Sequence, residues 1–245
     1  MKEYYFLCSL PRAGNTILGS ILNQSKDIKL TANSILPEII YQLYLIKQDQ
    51  LFTNFPDHNS YNNIIQNIFN NYYKDWDVNN IITRGIWGTP TNLQLLKSII
   101  KKPKFIILYR PVLECIASFI KIEKPIDVEL RCNQLLNKED IIGKSLWSIK
   151  NIIKNKEDHI VINYDDLVNN TNDTLKKIFN YLKVEFENID NNNLKQFSTN
   201  NIHYDDNVLP FDLHTIRTNK IGLNKYKIED YLPTNIIKQY SNLDI

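Results

Sequence analysis

Short apolar runs that alternate with helical patterns constrain this chain more than any other feature. Residues 4–10, 105–109 and 159–164 are almost uninterrupted in apolar character, and each is followed directly by a helical pattern. A weaker strand candidate lies at 81–83. After the first run, Ile17, Leu18, Ile21 and Leu22 lay an apolar stripe along one helix face. After the second, Pro111 suits the first turn of a helix reaching residue 121. After the third, Leu175, Ile178, Phe179 and Leu182 keep helical spacing, with Thr171 as the candidate cap. Strands apolar on both faces and alternating with helices predict an α/β fold, a parallel sheet flanked by helices on both faces. Ligands of such sheets bind outside the carboxyl ends of the strands, so the residues that follow each strand become the site candidates.

Between the first two strong strands, residues 35–50 and 61–73 read as helical, and 52–60, with Pro56 and His58, as a loop joining them. These segments are expected either to cover the sheet or to form a lid. The Asn-rich stretch 188–201 reads as a surface connection, and the aromatic, basic tail from 202 shows no clean periodicity until about residue 234. No repeat or linker divides the chain, so one domain spanning 1–245 is expected.

Composition narrows the function classes. Hydrophobic residues at 43% with 23% charged belong to a folded protein rather than a disordered one. A net charge of +2 disfavours nucleic-acid binding by bulk charge but leaves room for a local basic pocket. Cys8, Cys115 and Cys132 are odd in number and far apart; Cys8 and Cys115 sit in apolar runs and read as small core residues rather than metal ligands. The four histidines, His58, His159, His203 and His214, have no ligand-like spacing, so no metal is expected. Strand-like sequence from the first residues and the lack of any membrane-length apolar run point to a cytoplasmic protein without a membrane span.

Four segments carry candidate chemistry. Pro11-Arg12-Ala13-Gly14-Asn15-Thr16 joins the first strand to its helix. Unpaired N–H groups and the helix dipole attract an anion at such a helix start, and an arginine reinforces the attraction. The same residues also suit an ordinary turn with a solvated arginine. The spacing is not that of a Walker A loop, because the Gly-Lys-Ser/Thr ending is missing. Arg110 closes the second strong strand, and Ser118 lies about two helical turns further on, where its hydroxyl reaches the same rim. Tyr164, before Asp165-Asp166-Leu167, suits stacking on a base or a structural role. The basic segment 217–227, which includes Lys220 and Gly222, reads equally as a solvated loop or a closure over an anion.

Taken together, these segments resemble the sulfotransferases that use 3′-phosphoadenosine 5′-phosphosulfate (PAPS). That resemblance implies a P-loop-NTPase-like sulfotransferase fold and PAPS as the donor. Arg12, Ala13, Gly14, Asn15 and Thr16 match the family's 5′-phosphosulfate loop, with Arg12 in the role of the leaving-group cation. Arg110 and Ser118 match its 3′-phosphate site, and Tyr164-Asp165-Asp166-Leu167 its adenine-side segment. Lys220-Ile221-Gly222 matches loosely the basic loop that completes the 3′-phosphate site. The implied reaction moves a sulfuryl group to a hydroxyl or amine of a small-molecule acceptor.

The family's acceptor-side base has no clear counterpart. Where relatives place a glutamate, this chain reads Thr31-Ala32-Asn33-Ser34, with no carboxylate until Glu38. Glu38, His58 and His214 are the candidates for the base. Arg84, after the weak strand, suits either the acceptor pocket or a structural role. Two rival functions stay open: a small-molecule kinase, and a binding protein for 3′-phosphonucleotides that transfers nothing.

Overall fold

The structure, a computed structural model, describes residues 2–199, 202–204, 213–216, 220–222 and 227–245. From the amino end, β1 (Glu3–Ser9) leads through a tight turn into α1 (Asn15–Leu22), then β2 (Ile28–Leu30). Helices α2 (Leu36–Ile46), α3 (Gln50–Asn54), α4 (His58–Gln66) and α5 (Ile68–Tyr72) precede β3 (Asn80–Arg84) and α6 (Pro90–Ile99). Next come β4 (Lys104–Tyr109), α7 (Val112–Glu123), α8 (Val128–Leu136), α9 (Ile141–Lys154) and β5 (His159–Asn163). Helices α10 (Tyr164–Asn169) and α11 (Thr171–Leu182) follow, then the two-residue strands β6 (Ser198–Thr199) and β7 (Ile202–His203). A 3-10 turn at Ile228–Asp230 and α12 (Thr234–Tyr240) complete the order.

Five strands form one sheet in the order β2-β3-β1-β4-β5, every pairing parallel. In β1 the run from Tyr5 to Cys8 is buried throughout, so both faces of this central strand are covered. Phe6 and Cys8 point to one face, where the Phe6 ring meets Trp87 edge-on at 5.1 Å and Phe69 at 5.7 Å. Tyr5 points to the other, its hydroxyl donating to the Leu182 carbonyl at the end of α11 at 2.8 Å. Helices on both faces therefore follow directly from the two-sided apolar character of the strand. The chain crosses from one side of β1 to the other between β3 and β4, which opens a crevice at the carboxyl ends. Among the described residues, no helix is long and apolar enough to cross a membrane.

Several local expectations change. Residues 52–60 are not a plain loop: α3 and α4 enter the segment from both sides, started by the capping side chains of Asp49 and Asp57. Thr171 does not cap α11; Asn170 stands at that position, and the Thr171 hydroxyl donates back to the Leu167 carbonyl at 2.8 Å. The Asn-rich stretch is more than a surface connection, since Ile189, Leu194 and Phe197 are buried. Strand β2 and helices α6, α8 and α9 carry no counterpart in the sequence reading. Part of the basic segment at 217–219 and 223–226 lies outside the described residues.

Cys8 and Cys115 are buried with free thiols, as expected of core residues, and Cys132 is buried and free as well. Burial pushes the Cys8 thiol up to about 11, Cys115 to about 12 and Cys132 to about 11. The thiolate is the reactive form, so all three are protected by protonation as well as by packing. Ellman's reagent at pH 8 should therefore leave the native protein nearly unlabelled and titrate all three thiols after unfolding in guanidinium; rapid labelling of a native thiol would contradict this packing.

Candidate functional site

The turn between β1 and α1 owes its shape to two residues in the left-handed region, Arg12 at φ 66° and Gly14 at φ 95°. Gly14 occupies the cap position of α1 and brings no capping side chain, which leaves the helix start open for an external acceptor of hydrogen bonds. Asn15 ties the turn together, its Nδ2 donating to the Leu10 carbonyl at 2.9 Å. Glycine is required at position 14 for a second reason. A Cβ there would stand 2.8 Å from Cδ2 of Tyr164, whose ring lies against the turn.

Tyr164 opens α10 at the end of β5 and is buried. Over its ring lies Arg110, with the guanidinium carbon 4.3 Å from the ring centroid. Arg110 leaves β4 with its side chain only 3% exposed. Its Nε donates to Glu114 Oε2 at 2.9 Å, and its Nη1 to the Arg12 carbonyl at 3.3 Å. The backbone around it is fixed from outside. One Asp244 oxygen accepts from both the Tyr109 hydroxyl and the Val112 N–H, the latter at 3.0 Å, so it caps α7. Arg12 turns toward α7, donating from Nε to Ser118 Oγ at 3.2 Å and from Nη1 to the Leu213 carbonyl.

These residues border a cavity of about 380 Å³. Three arginines, Arg12, Arg84 and Arg110, reach its wall, and among the described lining residues there is no carboxylate. Burial, and secondarily the charge on Arg12, push Arg84 down to about 10, which leaves it protonated at neutral pH. A cavity with three cations and an open helix start is suited to an anion-rich ligand.

The structure brings most of the sequence candidates together and separates the rest. Arg12, Gly14, Asn15, Thr16, Arg110, Ser118, Tyr164 and His214 all line the cavity. Ala13 is fully buried and faces the core instead. Glu38 lies outside the cavity: Leu36, Pro37 and Ile40 take the buried face of α2 and leave it in solvent. His58 is likewise outside and exposed, at the start of α4 with its ring edge-on to Phe52. Lys220 and Gly222 are exposed and do not line the cavity. His214 is the one imidazole among the described lining residues, held near the wall through Gln196, which binds the carbonyl of His214 and the N–H of Ile216. Ser145 and Asn33 also line it without any sequence signal, because a lone serine in a helix or asparagine in a loop looks like many others in this chain.

Replacing Gly14 with alanine combines a left-handed backbone with a clash against a buried ring. The Gly14→Ala change should lower unfolding free energy by about 1–3 kcal/mol in urea titrations; a loss under about 0.5 kcal/mol would mean that the turn relaxes freely.

Comparison with known proteins places this architecture. No curated protein sequence matches the chain. Among solved structures, mouse sulfotransferase SULT7A1 complexed with PAP superposes at a TM-score of 0.59, with 12% identity over 99% of this chain and 82% of that one. The sulfotransferase domain from the curacin biosynthetic pathway gives 0.51, with 18% identity over 76% and 75%. A sulfotransferase from Alicyclobacillus acidocaldarius gives 0.51, with 11% identity over 77% and 83%. Identities this low speak for the fold alone, but a family model described as "Sulfotransferase family" matches residues 5–188. That span, three quarters of the chain, includes the β1 turn, Arg110, Ser118 and Tyr164, and the chain belongs to the sulfotransferase family.

Proposed function

We propose that this sulfotransferase takes its sulfuryl group from PAPS and passes it to a hydroxyl or amine of a small-molecule acceptor, as a one-domain enzyme of the cytoplasm. The observation that carries this reading is the pairing of two cationic stations on one wall, Arg110 buried and Arg12 half-buried. Arg12 stands at the β1 turn and Arg110 at the end of β4, joined through the Arg12 carbonyl. Two separated arginines suit a donor with separated anionic groups.

In this assignment the open start of α1, Thr16 and Arg12 hold the 5′-phosphosulfate, with Gly14 and Asn15 contributing backbone N–H groups. Arg110 and Ser118 hold the 3′-phosphate, and Tyr164 orients Arg110 beneath it. PAPS, when bound, supplies an activated sulfuryl group whose leaving phosphate gains charge as transfer proceeds. Arg12 opposes that charge with a fixed cation, and a positioned cation in a walled cavity gives most of the acceleration that a residue can give such a reaction. His214 is the candidate to take the acceptor proton, because it is the one imidazole at the wall among the described residues. Lys220 and Gly222, exposed and outside the cavity lining, are assigned to an outer contact with the 3′-phosphate. The kinase reading has less support, since the turn carries no Walker A lysine.

Calorimetry separates the readings. The protein should bind 3′,5′-ADP at least about tenfold more tightly than ATP, a gap of roughly 1.4 kcal/mol; equal or reversed affinities would favour the kinase. Arg110→Ala should weaken 3′,5′-ADP by about 1.5–3 kcal/mol while changing AMP little; equal losses for the two nucleotides would remove Arg110 from the 3′-phosphate.

A further inference from the structure

Arg84 is a cation that the donor assignment does not use. Its position is over-determined by the loop that follows β2. Its N–H donates to Thr31 Oγ1 at 2.8 Å, its carbonyl accepts from the Ser34 N–H at 2.8 Å, and its Nη1 donates to the Ala32 carbonyl at 2.8 Å. The next residue leaves no slack, because a Cβ on Gly85 would come 2.9 Å from Pro37. A guanidinium has five N–H donors. No carboxylate pairs with Arg84 among the described residues, and the charge on Arg12, on the same wall, acts against it. A half-buried, clamped cation that shares a cavity wall with a second cation is costly unless a ligand brings the counter-charge.

The sheet order says which ligand. Strands β4 and β5, carrying Arg110 and Tyr164, lie on one side of β1, and β3, carrying Arg84, lies on the other. With the nucleotide end of the donor over β5 and β4 and its sulfuryl end over β1, the Arg84 side of the cavity is left to the acceptor. We propose that Arg84 selects an acceptor that carries its own acidic group, a carboxylate or a phosphate or sulfate ester, besides the hydroxyl or amine that is modified. This rests on the PAPS reading. It adds a requirement on the acceptor that the arginines at β1 and β4 do not impose.

The test uses the full chain saturated with PAPS, so that the sulfuryl position is filled. Sodium phosphate or sodium acetate is then titrated by calorimetry at ionic strength held constant with chloride. Wild type should bind at least one of the two anions saturably. Arg84→Gln should weaken that binding by about tenfold or more, and Arg84→Lys by only about threefold, with PAPS affinity unchanged in both. Preference for phosphate points to a phosphate- or sulfate-bearing acceptor, and preference for acetate to a carboxylate. The proposal fails if neither anion binds the PAPS complex, if Arg84→Gln binds the anion as wild type does, or if Arg84→Gln loses PAPS affinity instead, which would give Arg84 to the donor. Absence of PAPS binding by wild type is a separate result: it removes the donor reading, and this inference with it.

Discussion

The contact between Gly14 and the Tyr164 ring is the constraint on which the site depends. It brings the turn after β1 against the first residue of α10, across the width of β4. Arg110 leaves the strand between them and has one place to go, over the same ring. Its Nη1 then meets the Arg12 carbonyl, so the turn and the arginine fix each other. A side chain at position 14, or a smaller residue at 164, would loosen three strand ends at once. Rigid strands set the spacing of the cations, and one missing Cβ lets the connecting loops close on it.

Electrostatics explains why such a cavity needs that rigidity. Three arginines share a wall without a lining carboxylate among the described residues, and Arg84 is pulled down first by burial and then by the charge on Arg12. Neighbouring acceptors offset part of this cost. Glu114 pairs with Arg110, the Ala32 and Leu213 carbonyls accept from Arg84 and Arg12, and Ser118 holds the Arg12 Nε. Neutral acceptors fix the direction of a guanidinium without cancelling its charge, which preserves attraction for an anionic ligand.

The legibility of the sequence follows the same physics. Strands β1 and β4 could be read because central parallel strands are apolar on both faces, and β5, at the sheet edge, from its apolar run Ile160-Val161-Ile162. The motif residues Arg12, Arg110, Ser118 and Tyr164 could be read because each sits at a fixed place relative to a strand end. Strand β2 could not: it has three residues, and its pairing with β3, not its own pattern, makes it a strand. The Asn-rich stretch misled because composition averages over residues, whereas Ile189, Leu194 and Phe197 are buried one by one. Glu38 and His58 were chosen for their chemistry, and the helix faces that bury their neighbours turn both outward. Arg84 gained its meaning only when the loop from Thr31 to Ser34 closed around it.

Arg12 also has a consequence for how the molecule acquires its site. Its side-chain partners stand 106 and 201 positions away along the chain. Contacts of such separation carry the full entropy of closing long loops and form after local structure has been laid down. A partly folded chain can hold β1 and α1 correctly while the arginine between them still has nothing to hold. The cavity is thus complete only when segments 106 and 201 positions apart have met, and its ability to hold an anion reports that the distant parts of the chain have come together.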